Sequence, residues 1–135
     1  MDLNNLGLFR MISRRMDWLT QRHEVLAENI ANSDTPGYQA RDIAPFDAYM
    51  DRAGARLAPR ATDPAHITVS AGGSGPVARS TDIDDPYEVK PSGNNVSIEQ
   101  QLMEVTENAM NHQLAINLYK KHAGMIRTAL GRFGR

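Results

Sequence analysis

Four histidines, His23, His66, His112 and His122, are the side chains best able to hold a metal ion or move a proton. No two stand four residues apart, the spacing that sets two ligands on one helix face. Asp82-Ile83-Asp84-Asp85 has the charge of a calcium loop but lacks its glycine turn and distal bidentate glutamate, and reads as a solvated loop. Gly72, Gly73 and Gly75 are not followed by the Lys-Ser/Thr of a phosphate-binding loop, so they read as a flexible stretch. Asn95-Val96-Ser97 matches a glycosylation triplet, but it abuts the start of a helix. Cysteine is absent, which removes disulfides, thiolate metal sites and thiol nucleophiles together. No serine, histidine and carboxylate stand in a recognisable nucleophile context. The expectation is therefore no enzyme, no cofactor, no metal and no small-molecule substrate. A hydrolase built on Asp82, Asp84 or Asp85 would need a pocket, and the segment around them is too thin to form one.

What the sequence offers instead is apolar periodicity. In the last third, Ile98, Leu102, Val105, Ala109, His112, Ile116, Tyr119, Ala123, Ile126, Leu130 and Phe133 step alternately by four and three. That is the seam of a coiled coil on a helix roughly 50 Å long. Ser97 is placed to cap it, with Gln100 three residues on to complete a capping box. The first segment follows the same logic through Phe9, Ile12, Met16, Leu19, His23, Leu26 and Ile30, predicting a helix from about Asn5 to Asn32. His23 and His112 fall on the two seams, where a register or core role outweighs a ligand role. The first helix stops at Asn32-Ser33-Asp34-Thr35-Pro36-Gly37-Tyr38. There Asn32 can adopt the left-handed conformation, Pro36 bars helix at Thr35, and Pro36-Gly37 form the centre of a type II turn.

The expected fold is mainly α. Long N- and C-terminal helices form an antiparallel coiled-coil-like hairpin, interrupted by a Pro/Gly-rich central insertion with short β elements. Residues 1–38 supply the first helix and turn, 39–95 an extended arm, and 96–135 the last helix, with 1–38 and 96–135 forming one helical domain. Six of the seven prolines lie in the arm. Its strand-like alternations are Ile67 and Val69, Val77, then Tyr87 and Val89. Ile43, Phe46, Tyr49 and Met50 suffice to lie back on the helices but not to make a core.

Each helix carries a second apolar stripe. Met11, Trp18 and Val25 recur at seven-residue spacing on the first, and Met103, Met110, Leu114, Leu118 and Met125 lie off the seam on the last. One stripe zips a helix pair, so a second implies further neighbours. A middle segment folded over that stripe is the alternative, opposed by its shortage of apolar side chains. Lateral packing against copies or relatives of the chain is the sharper reading. The basic residues Arg10, Arg14 and Arg15 meet Lys120, Lys121 and Arg127 at one end of an antiparallel pair, a solvated end or a docking point for an acidic partner.

Composition narrows the class. With 135 residues, a net charge of -1 and 41% hydrophobic residues, the chain is one modest domain without a nucleic-acid footprint. The N-terminal stretch is broken by Arg10, Arg14 and Arg15, unlike the apolar core of a cleavable signal peptide, and no run approaches membrane-spanning length.

The run from Leu26 to Asp42, LAENIANSDTPGYQARD, resembles the N-terminal signature of bacterial flagellar rod and hook proteins. Gly93-Asn94-Asn95-Val96-Ser97-Ile98-Glu99, with Met103-Glu104 and Glu107-Asn108, is similar to the start of the C-terminal helix in that family, and Ile126-Arg127-Thr128-Ala129 to its end. The likeness reaches both helices and skips most of the middle. Ser33 stands where alanine is usual and Gln39 where lysine is usual. The chain lacks the Tyr-Glu-Ala-Asn signature of other members' C-terminal helices.

The resemblance implies non-enzymatic subunits that leave the cytoplasm through the flagellar type III export apparatus without signal cleavage. They stack helically into the basal-body rod in the periplasmic space. Implied partners are copies of the chain, other rod proteins, the basal rod-to-ring adaptor and the export apparatus. In this chain Asn29 and Asn32 would share a helix face, Ala27 and Ala31 would allow close helix approach, and Thr35, Pro36 and Gly37 would aim the chain into the arm. Tyr38 would pin that turn against a neighbour. A soluble helical adaptor or secretion chaperone is the rival class, and would form a dimer of fixed size.

Overall fold

The computed structural model describes residues 6–54, 80–83, 86 and 88–131. Along the chain run α1 (Gly7–Ala31), β1 (Arg41–Ile43), α2 (Phe46–Gly54), β2 (Ser80–Asp82) and α3 (Ile98–Ala129). Phe9, Ile12, Leu19 and Leu26 share one face of α1 and are buried along it. Four contacts tie α1 to α3: Phe9 to Tyr119, Leu19 to Asn108, Arg22 to Glu104 and Asn29 to Gln101. As the α1 number rises the α3 number falls, so the helices run antiparallel.

α1 ends by tightening rather than by a left-handed residue. Asn32, expected in that conformation, has φ -101° and ψ 13°, and its N–H is shared between the carbonyls of Glu28 and Asn29. The left-handed position falls five residues later at Gly37, φ +72°, where the Tyr38 N–H donates to the Thr35 carbonyl at 3.3 Å. That is the positive φ a type II turn demands at its third residue. At the start of α3, Ser97 occupies the cap position but makes no capping hydrogen bond. Its hydroxyl turns to Glu99, and Gln100 donates to Glu104 instead of closing a capping box.

The arm departs most from expectation. β1 and β2 pair antiparallel, with Arg41 opposite Asp82, Asp42 opposite Thr81 and Ile43 opposite Ser80. Neither strand coincides with the anticipated alternations. Of those, Ile67, Val69, Val77 and Tyr87 lie outside the described residues, as do His66, the glycines at 72–75, Asp84, Asp85 and Phe133, while Val89 is described and belongs to no strand. Phe46 begins a helix, and the residues expected only to lie against the pair instead complete a core. Trp18, Leu19, Ile43 and Tyr49 form its centre, with Val25, Phe46 and Met50 packed around them. Thus two members of the second α1 stripe, Trp18 and Val25, are covered by the chain's own arm. A short helix needs few apolar residues to do this, because each aromatic ring buries a large area.

Candidate functional site

The two stretches that carry the family likeness meet at one end of the helix pair. Asn29, fully buried in the last turn of α1, uses both ends of its amide. Its Nδ2 donates to the Arg41 carbonyl at 2.7 Å and to Gln101 Oε1 at 2.9 Å. Its Oδ1 accepts from the Arg41 N–H at 3.0 Å and the Tyr38 hydroxyl at 3.2 Å. One side chain therefore fastens α1, the turn, β1 and α3 together.

Asn94 and Asn95 fasten the same junction from the other side. Asn94 Nδ2 donates to the carbonyls of Asn32 and Thr35, and its Oδ1 accepts from the Val96 N–H. Asn95 Oδ1 accepts from the Ala40 N–H at 2.5 Å, while its Nδ2 donates to Gln39 Oε1 at 2.8 Å. Gln39 in turn donates to the Gly93 carbonyl, and Lys90 to the Ser33 carbonyl. Gly93, φ +79°, lets the Lys90–Asn94 turn pass close to Gly37, and the Gly37 N–H donates to the Ser92 carbonyl at 3.0 Å. Helix ends and turns leave backbone groups without partners, and these three asparagines supply them where water is excluded.

Tyr38, read as pinning the turn to a neighbour, here binds Asn29 within the chain. Burial raises its pKa, and the Glu28 carboxylate adds to the rise. Asn32 plays no part in this junction through its side chain. Its Nδ2 donates to the Glu28 carbonyl and its Oδ1 accepts from Thr35, both at an exposed position.

A second fastening joins the arm. Arg22 grips Asp42 through two bonds, at 3.1 and 2.9 Å, and reaches Glu104 at 3.1 Å. Burial pulls its pKa down, but the hydrogen bond and charge of Asp42, then Glu104 and Glu107, outweigh that and the net shift is upward. Asp42 also accepts from the Ile43 N–H, which orients it. Arg15 lies over Trp18 and Phe46, 4.6 and 4.8 Å from their ring centroids. Arg15 is thus engaged in holding α2 down.

α3 keeps part of the seam its apolar residues spell and adds amides to it. Toward α1 it turns Gln101, Asn108, Ala115 and Ala123, all buried, with Val105, His112, Ile116, Tyr119 and Ile126 half-buried. Ile98, Leu102, Ala109 and Leu130, expected on the seam, are exposed. On α1, Met16 and Ile30 are half-buried and His23 is exposed. Gln101, Glu104 and Asn108 make polar contacts with α1 in this orientation. Periodicity of apolar residues could not reveal them. His23 and His112 border one groove with Thr20, Asn108 and Gln113.

The outer face of α3 carries apolar side chains among charged ones. Met103 is 68% exposed, Met110 63% and Leu114 56%, and Leu118 and Met125 are exposed in the same way, as is Met11 on α1. Exposed apolar side chains recurring along one helix face are a common feature of interaction surfaces. No helix among the described residues is long and apolar enough to cross a membrane.

Comparison with known proteins fixes the class first. Residues 13–39, from mid-α1 through the turn, match the family described as Flagella basal body rod protein. Relatives then narrow it. The chain is 32% identical over 124 residues to the flagellar basal body rod protein FlgB of Agrobacterium fabrum (strain C58), covering 91% of this chain and 92% of that protein. It is 34% identical over 103 residues to FlgB of Escherichia coli (strain K12), covering 72% and 73%. With FlgB of Bacillus subtilis (strain 168) it shares 28% over 117 residues, 81% of each chain. The chain belongs to the FlgB family of flagellar basal body rod proteins.

Proposed function

We propose that this chain is a structural subunit of the proximal rod of the bacterial flagellar basal body, and that the outward apolar face of α3 is where it packs against neighbouring subunits. The rod role follows from the family. The observation that carries the packing is the run Met103, Met110, Leu114, Leu118 and Met125, exposed and uncovered by the described residues, while Trp18 and Val25 are packed against the arm. Leaving that much apolar surface in water is unfavourable, and lateral contacts in a helical stack would remove it.

In this reading residues 1–38 and 96–135 act as one helical unit, and 39–95 as an arm clamped to it by Arg22 and Arg15. The seam residues Phe9, Ile12, Met16, Leu19, Leu26, Ile30, Val105, Ile116, Tyr119 and Ile126 hold the pair, and Leu102, Ala109 and Leu130 add to the outward surface. The turn Thr35-Pro36-Gly37-Tyr38, fastened by Asn29, sets the angle between unit and arm. Partners would be copies of the chain, other rod proteins, the basal rod-to-ring adaptor and the flagellar type III export apparatus, which would deliver the subunit to the periplasmic space without signal cleavage. The stacked subunits would help form the shaft that transmits torque and the channel within it.

The test places Met110→Glu and Leu114→Glu in a flagellated host. Both side chains are exposed, so the isolated chain should melt as before while rods and swimming are lost. Normal motility with both substitutions would overturn the packing surface.

A further inference from the structure

The face that α3 turns toward α1 is mixed, with Val105, Ile116, Tyr119 and Ile126 half-buried beside the buried amides of Gln101 and Asn108. Gln101, Asn108, Ala115 and Ala123 are buried, whereas Leu102, Met103, Met110, Leu114, Leu118 and Met125 are exposed. Apolar side chains thus lie on both faces of α3, and the apolar bed of Phe9, Ile12, Leu19 and Leu26 on α1 does not by itself select one of them. A directional contact can make that choice. We propose that Gln101 and Asn108 are orientation keys, two buried amides seven residues apart that fix the rotation and register of α3 on α1 and so hold its apolar stripe outward.

The two bonds constrain different motions. Gln101 Oε1 accepts from Asn29 Nδ2 at 2.9 Å, and Asn29 is a single side chain, so this bond sets register. Asn108 Nδ2 donates to the Leu19 carbonyl at 2.9 Å. A helix offers a carbonyl at every turn, so this bond constrains rotation rather than register. Turning α3 by one residue, about 100°, would swing both amides off α1. The Arg22–Glu104 pair lies on the same face and works in the same sense.

Asn108 has the marks of a group kept for direction rather than strength. It is 3% exposed, and its Oδ1 has no hydrogen-bond donor among the described residues. Its partner carbonyl lies mid-helix in α1, where the residue four on already supplies a helical donor, so removing Asn108 leaves no acceptor on α1 stranded. A buried asparagine that lowers stability while specifying orientation is an established device of paired helices. The inference concerns the isolated chain and stands apart from the assembly role.

The absence of cysteine makes the test direct. A reporter thiol is introduced by Met110→Cys on the outer face or by Ala115→Cys on the inner face, and its reaction rate with a maleimide is measured at concentrations where the chain sediments as a monomer. With Asn108 and Gln101 intact, the thiol at 110 should react at least about tenfold faster than that at 115, as their burial requires. Adding Asn108→Leu should keep helical content, leave Tm unchanged or higher, and shrink that ratio at least about threefold; adding Gln101→Leu as well should shrink it further. An unchanged ratio in both backgrounds overturns the proposal. A lower Tm or lost helicity with Asn108→Leu overturns it equally, since Asn108 would then be an ordinary stabilising contact.

Discussion

Replacing Asn29 by alanine probes the junction at its centre. The substitution removes four hydrogen bonds, those to the Arg41 carbonyl, Gln101 Oε1, the Arg41 N–H and the Tyr38 hydroxyl. These losses are unequal. Arg41 and Tyr38 reach solvent, so water recovers much of their bonding, and together they cost about 1 kcal/mol. Gln101 is 2% exposed, and leaving its oxygen without a donor costs about 2 kcal/mol. The sum, about 3 kcal/mol, corresponds to a fall in Tm of roughly 10 °C for a chain of this size. Asn32→Ala is the control, since its two bonds lie at an exposed position and should cost less than about 1 kcal/mol. Thermal unfolding followed by circular dichroism reads both. A fall of less than about 3 °C for Asn29→Ala, or an equal fall for Asn32→Ala, would refute the claim that one buried amide fastens the four segments.

Three further perturbations address other parts. Gly37→Val meets no atom within 4 Å of the added Cβ, so its cost comes from φ +72° alone; about 2 kcal/mol of destabilisation in chemical denaturation is expected, with the variant expressed but missing from rods. Arg22→Ala breaks the two-bond grip on Asp42 and the contact with Glu104, and should cost about 2 kcal/mol at both low and high salt, whereas Arg41→Ala, whose pairs with Glu28 and Asp82 are exposed and longer, should change little. The raised pKa of Tyr38 means the folded hydroxyl releases its proton later than the unfolded one. Its contribution is intact below about pH 10 and lost as pH rises through the folded value, so Tyr38→Phe should flatten the alkaline fall in stability.

The long helices and the turn were legible because their signals are local. Seven-residue apolar steps announce a helix, and Pro36-Gly37 announces a positive φ that Gly37 adopts. The way the helices face each other was not legible in the same terms. Leu102 and Ala109 fit the apolar period better than Gln101 and Asn108, yet the amides lie inside, bonded to Asn29 and the Leu19 carbonyl, and apolar periodicity carries no signal for such bonds. The cover over Trp18 was missed for a related reason: Phe46, Tyr49 and Met50 are few, but their size and the Arg15 and Trp18–Ala44 contacts make a small helix sufficient. For the junction a trace did exist. Asn29, Asn94 and Asn95 all lie in the stretches that resemble the flagellar family, and paired asparagines beside a glycine at a helix start suggest buried turn bonding. Only the three-dimensional contact joins residues more than sixty positions apart.

The central claim is that the chain is built into the flagellar rod, and purified basal bodies test it most directly. The gene is deleted in a flagellated host, then restored intact or with Met110→Glu and Leu114→Glu, and basal bodies are examined by electron microscopy and mass spectrometry. The account predicts that deletion abolishes rods, the intact chain returns and is found in them, and the doubly substituted chain is made but excluded. Complete rods in the deletion strain, with the restored chain absent from them, would contradict it.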